Sequence, residues 1–461
     1  MPLIKSISGI RGTIGGTVGE NLTPIDVVSC ATGYATWILQ QGVGDTIVIG
    51  RDARISGALL DALVVATLKS MGLHVINLGL STTPTVEIAV IQEKAAGGII
   101  LTASHNPKEW NALKFLNHKG EFISANAGAK ILQIIDRDNT EFCTIENLGT
   151  ERYMEHYIER HIELIFDLPL VDVELIRSKS FRIVVDCINS TGAISVVPLL
   201  EQLGCSALLI NAEMTGDFIH NPEPLPKHLT DLSELLSKGG YDLGIAVDPD
   251  VDRLVFVGED GTPFGEEYTI VGIADYILQH QNGNTVSNLS STRALRDVTE
   301  KHGGQYFSAA VGEVNVVEKM KAVDAVFGGE GNGGVIYPAL HYGRDALVGI
   351  ALFLTHLART DQSVNQLRRG YPDYHISKQK VKLNSGDSPE RIIQLMEQRY
   401  SEVSHSNIDG LKLEMGEEWV HMRKSNTEPI IRIYAESRSI LQADKLAARF
   451  RAEILDIAND S

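Results

Sequence analysis

The sequence predicts an α/β protein in which three related α/β domains with mixed sheets precede a C-terminal α+β domain. Three observations carry this reading. Short apolar runs alternate with longer helical patterns from about residue 24 to residue 330, as strands and crossover helices do in a parallel or mostly parallel sheet. Three of those runs, at 99–101, 241–247 and 325–327, each deliver a polar loop; one architecture is used three times, although no residue-level repeat is visible. Beyond Gly370-Tyr371-Pro372 the pattern changes to short strands and two helices, which marks a smaller, separate α+β domain.

Thr23-Pro24 supplies an N-cap and a proline at the first helical position, and the apolar spacing through Trp37 and Leu39 carries a helix to Gly42. A strand at 46–50 ends in Arg51-Asp52, a helix at 57–71 is stopped by Gly72, and a strand at 75–78 and a helix at 85–96 follow. Gly97 and Gly98 release the chain into the buried strand 99–101. It stops at Thr102-Ala103-Ser104-His105-Asn106-Pro107, where small polar residues and a proline rule out further sheet pairing. The stretch after Asn126 is helical, and 145–152 reads as the exit from a first domain. The alternation restarts with a strand at 182–186, a helix at 191–203 closed by Gly204, and a strand at 206–210; a loop rich in proline and histidine spans 213–228. A helix at 230–237 leads to the apolar strand 241–247 and its acidic loop. The third cycle has a helix at 268–279, a strand at 285–289, a helix after Ser291 and a strand at 325–327. It runs into residues 328–334, which are too glycine-rich for a stable helix or strand. C-terminal strands are expected at 381–383, 411–415, 419–422 and 430–434, with helices at 389–400 and 441–457. The implied domains are 1–152, 153–257, 258–371 and 372–461.

At 461 residues, 43% hydrophobic and 22% charged, the chain has room for several cores. Its formal charge of -18, uninterrupted by any lysine or arginine run, argues against nucleic acid or an anionic membrane as partner. An anionic ligand must therefore meet local cations. Cys30, Cys143, Cys187 and Cys205 form no C-x-x-C pair, so neither a zinc site nor a disulfide framework is indicated, and a reducing cytoplasm fits. The start, Met-Pro-Leu-Ile-Lys, lacks a basic segment followed by an apolar stretch, and no apolar run is long enough to span a bilayer.

The chemistry lies in the loops. Ser104 sits in a turn at the carboxyl end of a strand, where open α/β sheets place ligands, and a hydroxyl beside the imidazole of His105 suits a nucleophile or phosphoryl carrier. In Asp248-Pro249-Asp250-Val251-Asp252-Arg253 the carboxylates alternate, and extended backbone would send all three to one side. Such crowding needs a cation; hard oxygen ligands without histidine or cysteine favour Mg²⁺ over Ca²⁺, since the EF-hand offsets are absent. The turn Arg423-Lys424-Ser425-Asn426-Thr427-Glu428-Pro429 offers Arg423, Ser425, Asn426 and Thr427 as a phosphate cradle. Glu330 and Asn332, in a glycine-rich loop that matches neither a Walker nor a dinucleotide fingerprint, can bond sugar hydroxyls or an amine. Arg11, in Ser8-Gly9-Ile10-Arg11-Gly12, can present its guanidinium to an anion, and Lys114, close in sequence to Ser104, can steer a phosphate or transfer a proton. Taken singly, each loop also reads as an ordinary surface turn.

TASHNP, DPDVDR, GEGNGG and RKSNTEP occur in this order along essentially the full length. Together they resemble the α-D-phosphohexomutase superfamily, the phosphoglucomutase and phosphomannomutase enzymes. The resemblance implies four domains around a central cleft, with Ser104 as a phosphoserine whose phosphate joins Asp248, Asp250 and Asp252 as ligands of Mg²⁺. It implies a phosphoryl group moving between O6 and O1 of a hexose phosphate, with hexose 1,6-bisphosphate as intermediate and activator. By the same resemblance Arg11, Lys114 and Arg253 act on charge, with Lys114 also a general acid or base and His105 beside the nucleophile. Glu330 and Asn332 match sugar-contacting positions, and Arg423, Ser425, Asn426 and Thr427 match the site of the non-transferred phosphate. The chain departs from several members in having Gly334 where they carry histidine. His341 and Glu313 stand nearby, and a structural role is expected for His341. Within the family the overall resemblance favours glucosamine phosphate, with mannose or glucose phosphate as alternatives. A phosphatase, which would lose the Ser104 phosphate to water, and a non-catalytic sugar-phosphate sensor are the readings from other classes. The expected partner is a small-molecule sugar phosphate, bound by a cytoplasmic monomer or homodimer.

Overall fold

The computed structural model of the chain describes residues 3–6, 9–137, 140–383, 387–425 and 430–459. The chain divides into two units, one of residues 1–269 and 332–367, the other of residues 270–331 and 368–461. The stretch expected to form a third α/β domain is therefore shared between them.

The first unit opens with seven strands: β1 (Ile4–Ser6), β2 (Gly9–Thr13), β3 (Thr46–Arg51), β4 (His74–Leu80), β5 (Gly97–Leu101), β6 (Trp110–Leu116) and β7 (Glu151–Tyr153). They form one sheet in the order β1-β2-β6-β5-β3-β4-β7. Strands β5, β3, β4 and β7 are parallel, whereas β6 runs antiparallel to both β5 and β2. The sequence reading had no strand at β6, because Asn111 and Lys114 interrupt its apolar pattern. That strand carries Lys114 back along β5, and its pairing with β2 sets Arg11 opposite Ala112, so Arg11 and Lys114 share a face of the sheet. Both faces are covered. Ile47, Ile49, Ile99 and Leu101 pack with Tyr34, Ile38, Val64 and Leu68, while Val48, Ile76 and Ile100 pack with Val86, Ala89 and Val90. Double burial is why β3 and β5 read as continuous apolar runs. Thr23 caps the helix Pro24–Gln41, with Pro24 in its first turn and Gly42 left-handed at its end.

A second sheet of the same unit contains β8 (Arg182–Asp186), β9 (Ser206–Ile210), β10 (Leu243–Val247) and β11 (Leu254–Val257), in the order β11-β10-β8-β9. Strands β8, β9 and β10 are parallel, and β11 returns antiparallel to β10. The acidic loop is the connection between β10 and β11.

In the second unit β12 (Asn284–Asn288) lies between β13 (Tyr306–Ala309) and β14 (Ala325–Glu330), all parallel. Here the expectation that residues 328–334 avoid regular structure fails. Gly328 to Glu330 complete β14, with Gly328 opposite Val286. A Cβ on Gly328 would stand 2.2 Å from the Met320 sulfur, so packing rather than looseness explains this glycine.

The chain re-enters the first unit through β15 (Gly334–Ile336) and the helix Ala346–Thr360, buried throughout from Ala346 to Ala358. A helix that is apolar all round shows no amphipathic period, and the sequence reading did not place it. The second unit ends in an antiparallel sheet of β16 (His375–Lys382), β17 (His405–Ser406), β18 (Leu411–Met415), β19 (Glu418–Lys424) and β20 (Ile430–Ser437), in the order β16-β20-β19-β18-β17. Met396, Phe450 and Ile454 of the helices Pro389–Arg399 and Ile440–Asn459 pack on Val420, Met422, Ile431 and Ile433, the α+β arrangement expected. Among the described residues no helix is long and apolar enough to cross a membrane.

Candidate active site

Ser104 follows β5 with a left-handed backbone, φ 47°, a conformation that a non-glycine residue holds only under constraint. The constraint is visible. Ser104 N donates to Thr102 Oγ1 (2.9 Å), and Asn106 N closes a turn on Ala103 O (3.0 Å). Fully buried Arg54 donates to the carbonyls of Ser104, Asn106, Pro107 and Trp110 at 2.5–2.9 Å. Its Nε is paired with Asp52 Oδ2 at 3.1 Å, and the same oxygen accepts from Thr102 Oγ1 at 2.6 Å. Sequence reasoning missed Arg54. The signal was Arg51-Asp52-Ala53-Arg54 at a strand end, a charged run too close to the core to be solvated.

The acidic loop is not extended, contrary to the alternation argument. Val251 is left-handed, φ 60°; its N–H closes a turn on Asp248 O (3.0 Å), and Asp248 Oδ1 accepts from the backbone N–H of Asp252 and Arg253 at 3.1 and 3.0 Å. The turn, rather than strand periodicity, gathers the three carboxylates, which have one oxygen each within 4.8 Å of the others. Ser104 Oγ donates to Asp248 Oδ2 at 2.7 Å and lies 3.3 Å from His105 Nδ1. Asp250 Oδ2 accepts from Thr83 Oγ1 (2.6 Å) and from Lys114 Nζ (2.9 Å). Asp252 Oδ2 is paired with Arg344 Nη2 at 2.5 Å and with Lys114 Nζ at 3.6 Å. The remaining oxygens, Asp250 Oδ1 and Asp252 Oδ1, are buried without a hydrogen-bond partner. A buried, unpartnered carboxylate oxygen is costly, and all-oxygen donors suit a hard cation. The residues fit a divalent metal.

The electrostatics sort the roles. Burial, together with the charges of Asp252 and Asp250, pushes Asp248 well above the ordinary carboxylate range. Burial acts the same way on Asp250, but Lys114 prevails and holds it below that range. Lys114 is raised, because Asp250 and Asp252 outweigh its own burial, so it stays an ammonium at neutral pH. His105 is depressed by burial and by Arg253, Arg344 and Lys114, so its imidazole stays neutral. Arg253 borders the group, its Nε 4.0 Å from Asp248 Oδ2 and its Nη1 3.6 Å from Glu223.

The first unit thus brings together Ser104, His105, Lys114, Asp248, Asp250, Asp252 and Arg253, with Arg11 on the sheet face of Lys114. Asn332 also lies in this unit, where its Oδ1 accepts from Gly334 N at 3.2 Å. Glu330, Arg423 and Ser425 belong to the second unit. There Glu330 Oε1 accepts from Asn288 Nδ2 (2.8 Å) and Gly312 N (3.1 Å). Arg423 Nε lies 3.4 Å from Asp409 Oδ2, which also accepts from Val311 N at 3.1 Å. Ser425 N closes the β19–β20 hairpin on Ile430 O (3.0 Å); Asn426 and Thr427 lie outside the described residues. His341 is buried in a cluster with Glu87, His161 and Asp345, and Glu313 begins the helix Glu313–Ala322, also buried. Arg344, Thr83 and Asp409 were not singled out from sequence.

A serine hydroxyl hydrogen-bonded to a cation-ready carboxylate triad and ringed by lysine and arginine suits a phosphoryl-transfer enzyme. Comparison with known proteins agrees. Four family models, described as phosphoglucomutase/phosphomannomutase alpha/beta/alpha domains I, II and III and C-terminal domain, match residues 4–142, 151–261, 265–374 and 380–453. The chain is 32% identical over 454 residues to "Probable phosphoglucosamine mutase" of Methanopyrus kandleri, covering 98% of this chain and 96% of the relative. It is 31% identical to "Phosphoglucomutase/phosphomannomutase" of Thermococcus kodakarensis, covering 93% and 94%. The crystal structure of a phosphoglucomutase/phosphomannomutase family protein from Burkholderia thailandensis superposes with a TM-score of 0.85 at 24% identity, covering 99% of this chain and 98% of that one, and so shares the fold. The chain belongs to the phosphoglucomutase/phosphomannomutase family: it is a phosphohexomutase, an isomerase of the intramolecular phosphotransferase kind.

Proposed function

We propose that the enzyme interconverts glucosamine 6-phosphate and glucosamine 1-phosphate by way of a phosphoryl group on Ser104 and a hexose 1,6-bisphosphate intermediate. The observation that carries this is the Ser104 hydroxyl, locked in a left-handed turn 2.7 Å from Asp248 Oδ2, beside two buried carboxylate oxygens that have no hydrogen-bond partner. Asp248 Oδ2, Asp250 Oδ1, Asp252 Oδ1 and the Ser104 phosphate would hold Mg²⁺, which when bound neutralises charge on the group in transfer.

The other roles belong to the chain's own residues. Transfer breaks the bond from phosphorus to Ser104 Oγ and forms one to a sugar oxygen, whose hydroxyl proton ends on Oγ by way of the neutral His105 imidazole; the return step does the reverse with the other sugar phosphate. Lys114, kept charged by Asp250 and Asp252, which outweigh its burial, steadies the moving charge as a fixed cation. His105, kept neutral, offers Nδ1 at 3.3 Å to take the serine proton when Oγ is rephosphorylated. Arg11 and Arg253 attract the substrate phosphate, Glu330 and Asn332 bond sugar hydroxyls or the amine, and Arg423, Ser425, Asn426 and Thr427 hold the phosphate that is not transferred. These roles divide among domains at 1–152, 153–257, 258–371 and 372–461. Buried acidic Glu330 and the name of the Methanopyrus relative support the amino sugar. All four cysteines are free, in keeping with a cytoplasmic enzyme.

The test follows glucosamine, glucose and mannose phosphates side by side by phosphorus NMR, with Mg²⁺ and a trace of the matching bisphosphate. Higher kcat/KM for glucosamine phosphate supports the proposal. A preference for glucose or mannose phosphate moves the enzyme to the alternative substrate, and release of free phosphate alone would make water the acceptor.

A further inference from the structure

Residues 341–345, His-Tyr-Gly-Arg-Asp, face two ways. On one side His341 and Asp345 enter a fully buried cluster. Asp345 Oδ2 lies 2.9 Å from His161 Nε2 and 3.3 Å from His341 Nε2, and His341 Nδ1 lies 3.3 Å from Glu87 Oε2. Thr85 Oγ1 holds the other nitrogen of His161 at 3.0 Å. Asp345 Oδ1 accepts from Leu347 N (2.8 Å) and Val348 N (3.3 Å), capping the buried helix. The backbone is pinned too: Asp345 N donates to Val335 O (2.8 Å), and Ala346 N donates to Val251 O (3.2 Å) in the acidic loop itself.

On the other side Arg344 reaches that loop. Its Nη2 lies 2.5 Å from Asp252 Oδ2, with the side chain only 9% exposed. The path exists because residue 334 is glycine. A Cβ there would stand 2.3 Å from Arg344 Cδ and 3.1 Å from Arg344 Cγ.

We propose that Arg344, mounted on the Glu87–His161–His341–Asp345 cluster and admitted by Gly334, is a positioning residue of the phosphoryl-transfer site that holds Asp252 by Oδ2 and reserves Oδ1 for the metal. The inference rests on reading the aspartate triad as the metal site. A carboxylate free to turn can offer a cation either oxygen or both; one pinned at Oδ2 offers only Oδ1. The same division appears at Asp250, where Thr83 and Lys114 occupy Oδ2, and at Asp248, where two backbone N–H groups occupy Oδ1. Charge supports the assignment. With Ser104 phosphorylated, the three carboxylates and a phosphate dianion are balanced by a divalent cation with Lys114, Arg253 and Arg344. Without Arg344 the group is one positive charge short.

Arg344 repels a divalent cation while fixing one of its ligands, so removing it strengthens metal binding and slows turnover. Mn²⁺ is titrated by paramagnetic resonance into the dephosphorylated full-length protein, and turnover is measured separately. Arg344→Met is expected to bind Mn²⁺ about 5-fold tighter, as one repelling charge is gone, with kcat lowered about 100-fold and KM changed less than about 3-fold. Arg344→Lys keeps the charge and the wild-type Mn²⁺ affinity but recovers only part of the rate, since an ammonium lacks the fork. Gly334→Ala displaces a charged Arg344 and lowers kcat at wild-type Mn²⁺ affinity, which guards against a folding defect in the methionine variant. Arg344→Met with wild-type kcat overturns the inference; so does parallel loss of Mn²⁺ binding and turnover, the mark of a merely structural role. Failure of the wild type to bind Mn²⁺ would instead overturn the metal reading itself, and this inference with it.

Discussion

Lys114→Met removes the ammonium that lies 2.9 Å from Asp250 Oδ2 and 3.6 Å from Asp252 Oδ2, both fully buried. Breaking a buried ion pair by deleting one partner costs about 3–5 kcal/mol, because the other charge stays desolvated and unpaired. Methionine keeps most of the aliphatic stem, so little of that cost is lost packing, although the place of the ammonium 5.6 Å over the Phe122 ring is lost with the charge. A divalent cation at the triad supplies replacement charge and binds the variant more tightly than the wild type, in which the ammonium repels it; in saturating metal each tenfold difference in Kd recovers about 1.4 kcal/mol. The deficit should therefore be large in EDTA and partly recovered in saturating Mg²⁺. Urea unfolding followed by hydrogen exchange of the backbone amides in β5, β6 and β10 reports on this unit. Turnover should fall by about 10²–10³ even with Mg²⁺, the range for a lost group that stabilises charge in the transition state. A variant as stable as wild type in EDTA would refute the reasoning, since the triad would then be holding protons rather than charge.

Three further outcomes follow from the geometry. His341 is driven up from 6.5 to about 10, because Asp345 and Glu87 outweigh its burial. Its stabilising contribution is complete below pH 6.5 and is lost as pH rises toward 10. Thermal midpoints should fall across that window in the wild type and change much less in His341→Gln, and parallel slopes would contradict the cluster. Gly328→Ala places a Cβ 2.2 Å from the Met320 sulfur and should cost about 1–3 kcal/mol of stability by overpacking, read from chemical denaturation. Arg423→Ala should raise KM for the sugar phosphate while leaving Mn²⁺ affinity unchanged, and an unaltered KM would remove Arg423 from the phosphate cradle.

Much of the fold was legible because local chemistry and tertiary packing agree. Thr23-Pro24 and Gly42 mark a helix by capping alone, and β5 and β10 announce themselves as doubly buried apolar runs. What escaped was decided by packing. Strand β6 hides behind Asn111 and Lys114, the helix Ala346–Thr360 has no polar face, and Gly328 and Gly329 pair in a strand that glycine propensity disfavours. At the site, Ser104 and the aspartates stood out as residue types in loops after strands, but the reason given for the aspartates was wrong: a left-handed turn at Val251 gathers them. Arg54 and Arg344 were invisible in kind, since their roles depend on neighbours distant in sequence, Pro107 and Trp110 for one, Asp252 and Gly334 for the other.

Everything proposed for the site depends on Ser104 carrying the phosphoryl group. The most direct test charges the purified enzyme with glucose 1,6-bisphosphate, locates the label by mass spectrometry of peptides, and then adds either buffer or glucosamine 6-phosphate. The expected outcome is a single phosphoryl group on Ser104 that persists in buffer, leaves on addition of the sugar phosphate, and never forms in Ser104→Ala, which should not turn over. A label on another residue, or undiminished turnover by Ser104→Ala, would contradict it.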